Sequence, residues 1–535
     1  MNNAKRRIII SYLAAVMLST TVLATGCSDG NILDIGGGND DAVAAEVSTD
    51  ISIPIEKFRT LNPVLTRDKD VYFMEKLVYE SLVELDETLV PQPSIASDWS
   101  FSDDGMTLSF EIRSDVYWHD GDRLTAEDVK FTIDTLLKAQ YSGHSLYDAN
   151  IANIKSVKTE GSSVIVSFRT ASDNCVENFV FPIIPEHQFR SINDVFKQNE
   201  DFIPIGTGPY FVSEYDSVKR VVLEANDKYF GDKKAENRLI FKIIPNIDDA
   251  VNLFDINDLM ITYSQATDRD KIFSGLDVNI YPYVSNEVEV LGFNCSKPAF
   301  SDRRVRQAIA CSIDTQSIIE NAYYNNAIRN DNIYYPNYLG KNSSEKLIGQ
   351  SYEKAQKLLA ESGYINRDDD IYVENSSGAE IEIGILINSG DASRQTAADL
   401  IKNSLDKLPI HSYIIVKDWS GYTTDLNSGN YDVFIGGWKV ESDYDMGFAL
   451  HSGSNPARYT NTEMDALLDK MKSGIDAETK LETFTRIKEI YNEDLPYFCL
   501  AYKTYAAVTA KSMKGIVKPY FFDIYRTSED WKYEY

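Results

Sequence analysis

Cysteine is scarce, with five residues in a chain of 535. That excludes a disulfide scaffold. Cys175, Cys295, Cys311 and Cys499 show no C-x-x-C spacing, so no zinc-type cluster is expected. Buried free thiols are the expectation for all four, and a Cys295–Cys311 bridge stays open because sequence cannot give connectivity. Histidine is as rare, and His119, His144, His187, His411 and His451 are dispersed, so no metal site is expected. Positive charge is short as well: 53 Lys and Arg stand against 82 Asp and Glu, for a net charge of −29. Nucleic acid is thereby excluded as a partner, since phosphate contacts need a basic surplus. No apolar run beyond residue 26 is long enough to cross a membrane. A G-x-S-x-G elbow, an H-E-x-x-H pair, a Walker loop and a dinucleotide fingerprint are all missing, so neither an enzyme nor a cofactor is expected. What is abundant is apolar and aromatic material: 43% hydrophobic residues, with 33 Tyr and 24 Phe. Global disorder is excluded, and the length exceeds the roughly 250–300 residues at which single cores stop growing. Tyrosine pairs a flat apolar face with a hydroxyl, which suits polar ligand clefts.

The N-terminus reads as an address. Lys5, Arg6 and Arg7 precede an apolar stretch from Ile8 to Ala24, the pattern of a secretory signal. It ends Leu23-Ala24-Thr25-Gly26-Cys27, which resembles the bacterial lipobox. By that resemblance residues 1–26 are removed and Cys27 carries lipid. The usual leucine three places before the cysteine is Ala24 here, with Leu23 one place earlier. Residues 27–46 are polar around Gly36-Gly37-Gly38 and read as a flexible tether.

Several segments of the body show clear periods. Thr107–Ile112 and Val164–Phe168 alternate as strands. Thr125 and Asp128 have capping-box spacing before Val129, Ile133, Leu136 and Leu137. Gly206–Tyr210 is a turn, followed by strands near 210–215 and 219–225. Val288–Phe293 alternates as a strand. Ser301 and Asp302 are candidate caps for a helix with Val305, Ile309 and Ile313 on one face. Arg303, Arg304 and Arg306 on that helix are expected to make surface ion pairs. Tyr352–Ser362 reads as a helix stopped by Gly363. Ile381–Ile387, Ala392–Leu405, Ile410–Val416, 419–428 and Val433–Ile435 form a βαβαβ series, which implies a parallel sheet with helices on its faces. Ligands of such sheets bind beyond the carboxyl ends of the strands, so the loop from Gly436 to Asp445 is a candidate site.

The motifs in order resemble the bacterial extracellular solute-binding protein family 5, the peptide- and nickel-type binding proteins of ABC importers. Thr60-Leu61-Asn62-Pro63, Val78-Tyr79-Glu80-Ser81-Leu82 and the stretch from Trp99 to Val129 carry the resemblance first. Gly206-Thr207-Gly208-Pro209-Tyr210, Phe300–Ile309 and Tyr431-Asp432-Val433 with Gly437-Trp438 complete it. The resemblance implies an α/β fold: a two-lobed, type II periplasmic-binding-protein clamshell of the large class, with an extra subdomain and a hinge. Mapped here, lobe one is 47–82, 206–293 and 501–535, the inserted subdomain is 83–205, and lobe two is 294–500. The chain would cross between lobes near Phe293-Asn294 and Ala501-Tyr502.

In peptide-binding members an aspartate just after the Gly-Trp motif pairs with the ligand's α-amino group, because a buried ammonium needs a carboxylate. Counting without gaps, that position is Glu441 here; Asp443 and Asp445 follow, and Asp443 is the first candidate. A merely solvated acidic loop is the alternative. By resemblance, Gly437 and Trp438 line the cleft, with Tyr502, Tyr72 and Phe293 as lesser candidates. Trp118-His119-Asp120-Gly121 reads as a structural turn. His451, near the loop, would bind metal only in a nickel-type member.

The resemblance implies an extracytoplasmic protein anchored to the outer face of the cell membrane by lipid on Cys27. It would act as a monomer, capture a peptide between its lobes and deliver it to the permease and ATPase subunits of an importer. A non-peptide solute (metal chelate, oligosaccharide or opine-like compound) and a peptide-pheromone receptor remain the alternatives.

Overall fold

The computed structural model describes residues 47–535, apart from 141–144, 172–174, 198–200, 247–249, 256–257, 342–347, 369, 441–443, 454 and 535. Cys27 and residues 1–46 therefore lie outside the described residues. None of the described helices is long and apolar enough to cross a membrane.

Asp50–Glu56 opens a four-stranded sheet. It runs parallel to Arg238–Ile244, which continues antiparallel to Arg220–Ala225 and then Tyr210–Asp216. Ile51, Ile53 and Ile55 are fully buried on its inner face. Helix α1 (Lys69–Glu75) follows. A second four-stranded, all-antiparallel sheet joins Ala96–Phe101, Thr107–Ile112, Ser163–Phe168 and Ile154–Glu160. The helix Ala126–Gln140 is anchored by Asp128, whose carboxylate accepts the Thr125 N–H at 2.8 Å and hydroxyl at 3.1 Å. Val129, Ile133 and Leu136 on its inner face are buried.

Three of the sequence motifs lock together here. Glycine is required at 206 and 208 by close approach: a Cβ would stand 1.8 Å from the Val78 carbonyl oxygen at 206, and 2.6 Å from that of Leu77 at 208. His119 clamps the same turn. The Gly206 N–H donates to its Nδ1 at 3.1 Å, which leaves Nε2–H to donate to the Gly208 carbonyl at 3.1 Å. Burial pushes His119 down to about 4, against the Gly208 bond, so the ring is neutral. Trp118 beside it is fully buried. The turn has the structural work expected of it.

A seven-stranded sheet carries the rest. Its main path runs through β1 (Ile261–Ser264), β2 (Val278–Phe293), β3 (Glu382–Asn388), β4 (His411–Lys417), β5 (Val433–Lys439) and β6 (Tyr497–Ala510), in spatial order β1-β6-β2-β5-β3-β4. Strands β3, β4 and β5 are parallel, connected by helices α2 (Ala392–Leu405) and α3 (Trp419–Ser428). Asp391 and Asp418 cap these helices by accepting the backbone N–H groups of Arg394 (3.0 Å) and Gly421 (2.7 Å). The βαβαβ expectation is met.

Two features differ from the sequence reading. Strand β2 spans 16 residues rather than six, and pairs with β6 along nearly its whole length. The β2–β6 register breaks between Val284 and Val288, and again between Glu289 and Val290. Strand β5 runs four residues past Ile435, because Gly436 and Gly437 continue the ladder opposite Val290 and Glu289. The pair reads as part of the loop in sequence but serves close packing within the sheet.

Arg303 and Arg304 make the expected surface pairs, with Glu493 at 2.8 Å and Asp302 at 2.6 Å. Arg306 does not. It is buried, and its guanidinium donates to the backbone carbonyls of Phe300, Asp494 and Leu495. Helical spacing turns it inward beside Val305 and Ile309, where five fixed donors can satisfy several carbonyls at once.

Candidate ligand cleft

The end of β5 was singled out by topology, and its two faces do different things. Trp438, Val288 and Tyr502 lie opposite one another across β5, β2 and β6, on one face. Trp438 is half-buried, edge-on to Tyr497 with centroids 5.1 Å apart and to Phe448 at 5.6 Å. Tyr502 is fully buried, and its hydroxyl donates to the Ile333 carbonyl at 2.7 Å. It offers no surface to a ligand here; the alternation that put it opposite Val288 puts it in the core. Phe293 is buried as well, against Phe300.

Glu441 and Asp443 lie outside the described residues. Val440 is buried, and Tyr444, at φ 51°, stacks its ring on Tyr338 with centroids 5.0 Å apart. Asp445 accepts the Gly447 N–H at 2.8 Å and pairs with Lys472 at 2.6 Å. Its carboxylate is therefore engaged by Gly447 and Lys472. Cys175, Asn178, Tyr334, Tyr444, Asp445 and Lys472 line a small cavity of about 40 Å³ there.

The other face is a charge ladder. Glu287 pairs with Lys439 at 2.9 Å and Lys503 at 3.1 Å, and accepts the Tyr505 hydroxyl at 2.7 Å. Burial alone would raise its pKa, but these donors, Tyr505 first, hold it at about 2. Glu289 accepts a two-pronged bond from Arg394 at 3.0 and 3.1 Å, and lies 3.3 Å from Lys503. Gly437 makes room for it: a Cβ there would stand 2.8 Å from the Glu289 carboxylate and 2.4 Å from the Val288 carbonyl oxygen. Lys69, at the start of α1, reaches over the Tyr505 and Phe521 rings at 5.5 and 5.4 Å. Desolvation, then the charge of Lys439, lowers its pKa.

A second and larger cavity, about 80 Å³, opens where α1, the segment around Tyr147 and Pro182, and the C-terminal stretch around Tyr520 and Asp523 meet. Tyr72 lines it, so of the lesser candidates it is the one that faces open space. Sequence reasoning missed its carboxylates, Glu75, Glu80 and Asp523. One signal was present: Glu75 has Val71 four residues before it and Tyr79 four after, an acid within an apolar stripe.

Contacts distant in sequence surround these cavities. The carboxylate of Glu177 and the ammonium of Lys480 form a nearly dry ion pair, and the Leu339 N–H donates to the Thr88 carbonyl at 2.9 Å. Cys295, Cys311 and Cys499 are free thiols, and no Cys295–Cys311 bridge forms. His451 lies 3.8 and 3.7 Å from Asp465 and Asp469. Among the described residues, one exposed group has the spacing to hold a metal, Asp120, Asp122 and His187. It belongs to the turn segment rather than to either cavity.

Comparison with known proteins places this architecture. Residues 90–459 match the model of the bacterial extracellular solute-binding proteins, family 5 (middle), and the chain belongs to that family. It is a family of solute-binding proteins, not of enzymes, and it is extracellular. The oligopeptide-binding protein AppA of Bacillus subtilis (strain 168) is 25% identical over 548 residues, covering 98% of this chain and 99% of its own. The dipeptide-binding protein of Escherichia coli (strain K12) is 22% identical, over 85% of this chain and 87% of its own. The solved structure of HbpA2 from Haemophilus parasuis superposes with a TM-score of 0.75 at 21% identity, over 90% of this chain and 99% of that one. The fold is the two-lobed α/β clamshell of these proteins.

Proposed function

We propose that this chain is the extracellular, peptide-capturing component of an ABC importer, held to the outer face of the cell membrane by lipid on Cys27. The observation that carries the reading is the match to a protein named for oligopeptide binding across 98% of this chain. The cavities add to it, since they lie where segments remote in sequence converge and are lined by tyrosines with polar tips. Lobe one is 47–82, 206–293 and 501–535, the inserted subdomain 83–205 and lobe two 294–500. The register breaks at 284–290 favour a hinge within β2, a few residues before Phe293, because a break in a ladder is where two strands bend most cheaply. Trp438 and Gly437 support the cleft edge, and Asp443 or Glu441 anchors the ligand's amino group. Asp445 is the weaker anchor, being paired with Lys472. Closure is a shift toward the state with more ligand contacts. The protein works as a monomer and passes its ligand to the permease and ATPase subunits.

The test is native mass spectrometry of the lipoprotein, extracted in detergent without unfolding, followed by identification of what co-purifies. Short peptides are the expected result. A single non-peptide mass would refute the peptide reading and leave the family fold intact.

A further inference from the structure

Glu75 is 2% exposed, yet neither of its carboxylate oxygens has a hydrogen-bond partner. It sits on the wall of the 80 Å³ cavity, so an unpaired buried acid lines a space that opens to solvent. Three more carboxylates share that wall: Glu80, Glu84 and Asp523. Glu80 is buried and held in place from behind, accepting the hydroxyls of Tyr229 at 2.7 Å and Ser94 at 3.3 Å. A single cationic side chain lines the same cavity, Lys76, whose ammonium lies 5.7 Å from the centre of the Tyr72 ring. Four acidic side chains thus share the cavity with one lysine. Tyr72, Tyr79, Tyr147 and Tyr520 stand among the other, mostly apolar, lining residues, and the faces of such rings attract cations.

A structural explanation would need these acids to be paired with one another's donors, and Glu75 is not. A carboxylate removed from water without a partner is costly, and it holds its proton instead. Burial accordingly raises the pKa of Glu75 and Glu80 well above the usual carboxylate range, and that of Asp523 to about 6. An entering cation would supply the missing partner.

We propose that this cavity receives a cationic group of the ligand, an ammonium or guanidinium, with Glu75 as its principal partner and Glu80, Glu84 and Asp523 completing the acidic wall. The protein thereby selects basic solutes. This rests on the peptide-capture reading for the source of the cation, a lysine or arginine side chain of a bound peptide; a free amine is the other source of the same chemistry.

The experiment is calorimetric titration of the full-length chain in detergent with trilysine, trialanine, triglutamate and agmatine, repeated with Glu75→Gln and Glu84→Gln. Glu84 is exposed, so its variant keeps the test open if Glu75→Gln fails to fold. The expected result is trilysine at least tenfold tighter than trialanine, triglutamate weakest, and a loss of at least tenfold for trilysine alone in Glu75→Gln, or several-fold in Glu84→Gln. Equal binding of the three tripeptides would overturn the cation proposal while peptide capture stands. Agmatine binding that is sensitive to Glu75→Gln, with no tripeptide bound, would uphold the cation site and overturn peptide capture. No binding by any of the four would overturn both.

Discussion

Lys480→Met should strand a buried carboxylate. Glu177 and Lys480 are 303 positions apart in sequence, and their side chains are only 5% and 12% exposed. Burial alone would discharge the lysine, but Glu177 overrides it and raises the lysine pKa. With the ammonium gone, Glu177 keeps the cost of leaving water and loses its compensation. Removing one partner of a buried pair costs roughly 3–5 kcal/mol. The double variant Glu177→Gln/Lys480→Met removes both charges and should regain at least half of that, about 1.5–2.5 kcal/mol. Urea unfolding is the assay, since in a chain this long a given energy moves the melting temperature little. The pair also joins the segment around Glu177 to the helix Ala477–Asp494, so whatever part of the loss falls on closure weakens ligand binding tenfold per roughly 1.4 kcal/mol. A single variant within about 0.5 kcal/mol of the parent, or a double variant no better than the single, would refute the reasoning.

Other outcomes follow from the same geometry. Gly206→Ala should cost roughly 3 kcal/mol or more, because its Cβ would strike a backbone carbonyl, whereas Gly349→Ala, facing open space, should stay within about 0.5 kcal/mol; urea melts compare them. His119 has a folded pKa of about 4 against 6.5 for the free side chain, so the native state binds fewer protons than the unfolded one. Its contribution is complete above pH 6.5 and is lost as pH falls through 4, and His119→Gln should flatten the stability profile across that window. Burial pushes the Cys295 thiol up to about 11 and raises Cys311 and Cys499, so a thiol reagent at pH 8 should modify these three only slowly in the native protein. After unfolding, four reactive thiols would support lipid on Cys27, and five would exclude it.

Local signals in the sequence carried far. The series from Ile381 to Ile435 has the periods of strand, helix, strand, helix and strand, and the first four are present within a residue, with the last running four residues further, because each element has its own spacing and each helix its own aspartate cap. The family was legible for a related reason: its motifs are turns and helix starts whose geometry admits few residues. Gly206 and Gly208 show it, since their neighbours leave no space for a side chain. The candidate site was legible only in part. Gly437 and Trp438 sit at the predicted end of β5, while Tyr502, predicted beside them at a cleft wall, is buried.

What the chain alone determined is the order of its elements, their caps and the kind of fold they build, all set by neighbours a few residues apart. Only the tertiary structure decided which charges are buried. Arg306 looks like its surface neighbours Arg303 and Arg304 until carbonyls nearly two hundred residues away close on it. Glu75 looks like any helical acid until Tyr147 and Asp523, from distant segments, line the cavity with it. Desolvation depends on everything within a few ångströms, and those neighbours come from across the fold, so no local pattern could report it.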